Sequence, residues 1–153
     1  MKKIFYLGLG IAFFLIGCSV KTTPVYVTLK TPKIKISDQG FLKEGKGYKE
    51  FELYKGGVGY KIVLKNSSVC LNSSCMNKEK FIKEYLGEDY PPCFLDCVIE
   101  GKPVKKFGKI TKINGGFIQK NVNVYYSVQK NKVLFKDRRN GIVVLIKKLM
   151  EKQ

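Results

Sequence analysis

The stretch NVNVYYSVQKNKVLFKDRRNGIVVLIK, residues 121–147, decides the fold. Val122, Val124, Tyr126 and Val128 fall at every second position, with Asn121, Asn123, Tyr125 and Ser127 between them. That is the period of a strand with one buried face, because successive side chains in a strand point to opposite sides. Lys130-Asn131 interrupts the pattern before Val133 to Phe135, and Asp137-Arg138-Arg139-Asn140-Gly141 interrupts it again before Ile142 to Ile146. Asn, Asp and Gly supply the backbone conformations that tight turns need, so consecutive antiparallel strands are expected here.

The same period recurs toward the N-terminus. Val25, Val27 and Leu29 alternate with Tyr26, Thr28 and Lys30; Phe51 and Leu53 alternate next; Val58, Tyr60, Ile62 and Leu64 follow Lys55-Gly56-Gly57. The two glycines predict a hairpin turn with positive φ. Between the two strand-rich halves the period changes. From Asn77, a good N-cap, Phe81, Ile82, Tyr85 and Leu86 fall at helical spacing and Gly87 sits where a helix would stop. A second helix is expected over residues 92–100, with proline in its first turn, Phe94, Leu95 and Val98 on one face, and Gly101 and Pro103 beyond its end. Strands on both sides of a helical insertion predict an α+β fold: one strongly curved, open antiparallel sheet, a half-barrel, with two short helices covering its concave face.

The N-terminus has a separate logic. Met1-Lys2-Lys3 precedes an apolar run from Ile4 to Gly17, shorter than the about 20 residues needed to cross a bilayer. Leu15-Ile16-Gly17-Cys18 resembles the bacterial lipobox, whose cysteine is acylated and becomes the first residue of the mature chain. Lys21, Thr22, Thr23 and Pro24 follow at once, which argues against a transmembrane helix. The expected organisation is a leader over 1–17, a lipidated N-terminus and polar tether over 18–24 beginning at Cys18, and one domain over 25–153. Ser19 rather than Asp follows the cysteine, so the lipoprotein sorting rule of Gram-negative bacteria implies an outer-membrane, periplasm-facing location.

Charge and composition narrow the function. The chain carries 29 Lys+Arg against 12 Asp+Glu, a formal +17, which falls to +15 when Lys2 and Lys3 leave with the leader. Only Arg138 and Arg139 are arginines, and the lysines are spread along every segment. Nucleic-acid readers cluster arginine on one face, so nucleic acid is not an expected partner, whereas anionic lipid remains one. The chain has no histidine, which removes His-based acid/base chemistry, Ser-His and Cys-His nucleophile pairs and most catalytic zinc sites. Asp96, Glu100 and Asp137 are expected to be solvated charges. The chain is therefore expected not to be an enzyme and to need no cofactor or metal.

Four cysteines follow Cys18, as Cys70-x4-Cys75 and Cys93-x3-Cys97. In an exported chain disulfides take precedence over a four-thiolate zinc site. Leu71-Asn72-Ser73-Ser74 is turn-forming and favours Cys70 with Cys75. Cys93 and Cys97, four apart on a helix, hold their Cβ atoms about 5–6 Å apart, more than the about 3.5–4.5 Å of a disulfide. They close only if the helix distorts; Cys75 with Cys97 is the alternative, and all three connectivities stay open.

The order of these elements resembles the LolB/LolA lipoprotein-localisation family, and in particular the outer-membrane receptor branch, LolB. The resemblance rests on Leu86-Gly87, then Pro91-Pro92, then Gly101-Lys102-Pro103, then Gly116-Phe117-Ile118-Gln119 with Tyr125, in that order. It covers roughly residues 77–149. The chain departs from the family in lacking tryptophan and in its four cysteines. The resemblance implies an open, bent sheet closed by helices over an apolar cavity for acyl chains. It also implies acylated lipoproteins and a periplasmic carrier as partners, with insertion of cargo into the outer membrane. Phe81, Phe94, Leu95, Val98 and Phe117 are then the candidate cavity residues, and the Lys55–Gly59 turn with Val58 is the candidate membrane-facing loop. The competing expectations are a lipid-anchored, disulfide-stabilised interaction module with a filled core, and a surface lipoprotein whose lysines bind anionic lipid or polysaccharide.

Overall fold

Alternating apolar side chains and glycine-bearing turns build most of the structure, a computed structural model that describes residues 20–87 and 90–149. The leader over 1–17 and the lipidation candidate Cys18 lie outside the described residues. Among those described, eleven strands form one antiparallel sheet that does not close. In chain order they are β1 (Lys21–Lys30), β2 (Lys35–Gly45), β3 (Tyr48–Lys55), β4 (Val58–Lys65), β5 (Ser68–Leu71) and β6 (Ser74–Asn77), then β7 (Ile110–Ile113), β8 (Gly116–Lys120), β9 (Val124–Gln129), β10 (Lys132–Asp137) and β11 (Ile142–Lys148). Their order across the sheet is β6-β5-β4-β3-β2-β1-β11-β10-β9-β8-β7. Two meanders are thus joined where the first strand pairs with the last, Val25 opposite Lys148 and Lys30 opposite Val143. The class is α+β, as the pattern predicts.

The hairpins follow their turn chemistry. Gly56 and Gly57 take φ of 57° and 81°, a pair of positive values that a type I′ turn requires and that a side chain would resist. Tyr48 to Lys55 pair residue by residue with Lys65 to Val58 across that turn. Along β9 the inward Val124 and Tyr126 are buried while Tyr125 is exposed, the alternation legible in the sequence, but Ser127, expected on the outer face, is buried as well. Val122 departs from it: at 93% exposure it lies in the β8–β9 turn. Asn121 is the reason, because its Oδ1 accepts from Asn123 N and Val124 N at 3.0 and 2.8 Å and folds the chain into a turn before the strand begins.

The expected tether over 18–24 is in part a strand. Lys21 to Pro24 pair with Glu44 to Phe41 of β2, whereas β11 joins β1 only from Val25. Proline is tolerated there because it sits at the very end of the β1–β11 pairing, where only one ladder bond is forgone; its carbonyl still accepts from Leu149 N at 2.9 Å. β2, β5, β6 and β7 are strands that hydrophobic alternation did not announce.

The helical insertion begins where Asn77 predicts. Its side chain accepts from Glu79 N at 2.8 Å and caps α1 (Lys78–Phe81). The next turn, Ile82–Leu86, is π-helical and ends with Gly87 N donating to Ile82 O at 2.8 Å. The wider turn keeps Phe81, Ile82 and Leu86 all buried, which a straight α-helix of this length would do less completely. The second helix, α2 (Phe94–Glu100), ends at Gly101 as expected. Phe94 rests against Phe135 of β10, ring centroids 4.9 Å apart, and Val98 is buried beside it.

Candidate functional site

The interior divides into a filled half and an open half. On the β8–β10 side, Tyr90, Phe94, Phe107, Tyr126 and Phe135 interlock, with centroid distances of 4.5 Å for Tyr90–Phe94 and 5.2 Å for Phe107–Phe135. Gln119, fully buried on β8, organises the loop above them. Its Oε1 accepts from Val104 N at 2.9 Å, and its Nε2 donates to Val104 O and Gly108 O, each at 3.0 Å. Tyr126 donates to the carbonyls of Lys102 and Cys97, at 3.0 and 3.3 Å. Burial holds its hydroxyl well above the ordinary tyrosine range.

On the other side a cleft lies between the helices and strands β1, β3, β4, β5 and β11. All fourteen residues that line it are apolar, and the space open to a water-sized sphere is about 60 Å³. Phe81, Phe94, Leu95 and Val98 are brought together there. Phe117 is not: it stands half-buried on β8 with its ring on Tyr126, centroids 5.4 Å apart, in the filled half. The reason is strand position, since β8 lies three strands beyond β11, the last strand on that side to line the cleft.

The rim of the cleft is held by charge. Lys78 of α1 is buried, yet its Nζ reaches both carboxylate oxygens of Asp96 on α2, at 2.7 and 2.8 Å. A lysine at the first position of a helix runs against the helix dipole, and that misfit was the signal in the sequence that its charge is used elsewhere. Asp96 is thus paired rather than merely solvated. Glu100 likewise binds Lys102 and Lys49, and the Lys102 contact holds its carboxyl below the usual range. Asp137, expected in solvent, is buried instead: it accepts from Tyr90 and Asn140 side chains and from the backbone of Arg139 and Asn140. It staples the β10–β11 turn to the aromatic half.

The cysteines separate into two kinds. Cys70 and Cys75 are directly opposed on β5 and β6 and form a disulfide, with Asn72 in the left-handed region of the turn between them. Cys93 and Cys97 are free thiols. Burial pushes the Cys97 thiol up to about 11. Among the described residues no cluster of His, Cys, Asp and Glu is suited to hold a metal ion. A scan of protein-family models finds no match to this chain, and a search of curated proteins finds none either.

Proposed function

We propose that this chain is a LolB-like outer-membrane lipoprotein, anchored through Cys18, that accepts acylated proteins from a periplasmic carrier and delivers them to the membrane without a catalytic step. The observation that carries the reading is the wholly apolar cleft between helices and sheet. In this reading the sheet is strongly curved and the helices cover its concave face. Two features support the curvature. Val69 of β5 and Val144 of β11 line the same cleft, though five strand spacings would separate them by about 24 Å in a flat sheet. A Cβ at Gly40 or Gly116 would lie 1.9 or 1.8 Å from the backbone oxygen of Glu52 or Val128, so glycine lets adjacent strands approach where the sheet bends.

The free volume of about 60 Å³ is well below the about 300–1,000 Å³ of a ligand pocket, so this reading requires a cleft that is closed until cargo arrives. An empty pocket of about 400 Å³, ordinary for a ligand site, would cost on the order of 10 kcal/mol at ~24 cal/mol per Å³. That equals the whole stability of many domains. In this reading the cleft opens on its ligand, with α1 and α2 moving as the Lys78–Asp96 pair parts. Three acyl chains represent on the order of 36 kcal/mol of transfer from water at ~0.8 kcal/mol per methylene, so hand-over has to run from one apolar surface to another. Tyr54 and Val58, 52% and 58% exposed beside the Gly56-Gly57 turn, offer such a surface to the bilayer.

The same 60 Å³ also favours the second reading, an envelope interaction module whose core is simply filled. Titration of the full chain with a fluorescent sixteen-carbon acyl probe separates the two. The receptor reading expects saturable binding, lost in Leu95→Glu and kept in Val122→Asp. Absence of binding in the unmutated chain would leave the module.

A further inference from the structure

Cys93 and Cys97 stand one helical turn apart at the start of α2, the first exposed and the second half-buried. The helix holds them to one another through its backbone, Cys97 N donating to Cys93 O at 2.7 Å, which sets both side chains on the same face of the first turn. Cys70 and Cys75 are already joined to each other, so this pair is the available thiol chemistry among the described residues. We propose that Cys93 and Cys97 are a redox-active dithiol that closes to a disulfide with a disulfide-bearing oxidant and reopens with a thiol reductant.

The roles of the two sulfurs differ. The exposed Cys93, as thiolate, attacks one sulfur of the oxidant, forms a mixed disulfide and releases the first thiol. Cys97 then loses its proton and attacks the Cys93 sulfur, forming the internal bond and releasing the second thiol. Two protein thiols are oxidised and one disulfide is reduced to two thiols. Cys97 is the slow partner. Its burial and the neighbouring Cys93, Asp96 and Glu100 oppose the thiolate. The remaining groups that face it are neutral or paired: Tyr126 from β9 donates to its carbonyl, Lys78 is bound to Asp96, and Lys102 is bound to Glu100. With the thiol at about 11, ring closure should speed up roughly tenfold per pH unit between 7 and 10.

Closure also bears on the cleft. The Cβ atoms of residues four apart must draw in from about 5–6 Å to about 3.5–4.5 Å, and Phe94 and Leu95 lie between the two cysteines and line the cleft. This second step rests on the acyl-binding reading; the bond itself does not.

The test treats the full chain with oxidised glutathione at pH 7 and pH 9, then alkylates and maps the peptides by mass. The expected result is glutathionylated Cys93 accumulating at pH 7 and yielding a Cys93–Cys97 disulfide on the order of 100-fold faster at pH 9. Cys97→Ser should stop at the mixed disulfide, and Cys93→Ser should remain unmodified. Both thiols still alkylated after equilibration at pH 9, or a map joining either to Cys70, Cys75 or another chain, overturns the dithiol. The acyl probe is then compared on the oxidised and reduced forms, with a threefold or larger change in affinity expected. Equal affinity overturns the link to the cleft alone, and no binding to either form overturns the acyl reading alone.

Discussion

A single amide shows how much one residue can organise. Gln119 is fully buried and satisfies both the N–H and the C=O of Val104 together with Gly108 O. Replacing it by leucine keeps the volume and strands three backbone groups in the interior, where each lost partner costs about 1–3 kcal/mol. Gln119→Leu is expected to lose at least about 3 kcal/mol, read as a fall of at least roughly 6–12 °C in the thermal midpoint; a fall under 2 °C would show that the loop rearranges freely. This residue also explains the stretch Gly116-Phe117-Ile118-Gln119. The pattern noticed in the sequence is structural at each position described: Gly116 allows close strand approach, Phe117 packs on Tyr126, and Gln119 holds the loop. The tyrosine that points inward is Tyr126, and Tyr125, named from the sequence, is 39% exposed.

Between elements, the tie of α1 to α2 matters most. The Lys78 side chain is 10% exposed and its partner Asp96 45% exposed, so the pair is screened on one side only. Asp96→Asn leaves a buried ammonium with a neutral partner. The cost should be about 1–2 kcal/mol, below the 3–5 of a fully buried pair because of that exposure. Lys78→Met combined with Asp96→Asn should recover most of the loss, since an apolar stem can fill the same space. Urea midpoints of the unmutated chain and of these two variants check this; a double variant as unstable as the single would assign the effect to packing instead. The acyl reading adds that the single variant, with its helices less firmly tied, binds the probe faster. Element boundaries were legible where local chemistry sets them, as at Asn77, Gly56-Gly57 and Gly101. They were hidden in β2, whose residues 35–45 place Lys, Ser, Asp and Gln among the apolar positions. That strand is defined by its neighbours β1 and β3, which hydrogen-bond it on both sides.

For the whole molecule, net charge is the largest uncommitted quantity. Lys43 and Lys61 share Glu50 and Glu52, and Lys49 joins Glu44 to Glu100, yet the chain as a whole remains at +17. Self-repulsion on that scale destabilises the compact state, and salt at 0.15 M shortens its reach from about 30 Å at 0.01 M to about 8 Å. The urea midpoint is therefore expected to rise between those two salt concentrations; a fall would mean that the surface ion pairs outweigh the repulsion. Geometry constrains the proposed membrane pose as well. Lys21 lies at the sheet end opposite the Gly56-Gly57 turn, since it pairs with Glu44 and Glu44 with Lys49. Residues 18–20 reach only about 10 Å, so for the anchor and Val58 to meet one bilayer the strands must lie along its surface. The sequence by itself determined the α+β class, the hairpins at Gly56-Gly57, Lys130-Asn131 and residues 137–141, and the two helical segments, and it favoured Cys70 with Cys75 while leaving the connectivity open. Each of these follows from side-chain period or from turn chemistry within a few residues. Only the tertiary structure decided that Val69 and Val144 share a cleft, that Phe117 does not, and that Asp137 and Lys78 are buried. Those outcomes depend on which elements become neighbours: Lys78 meets Asp96 across 18 positions, Tyr90 meets Asp137 across 47, and the pairing of β1 with β11 brings Val144 round to the cleft, and contacts at such separations leave no local pattern to read.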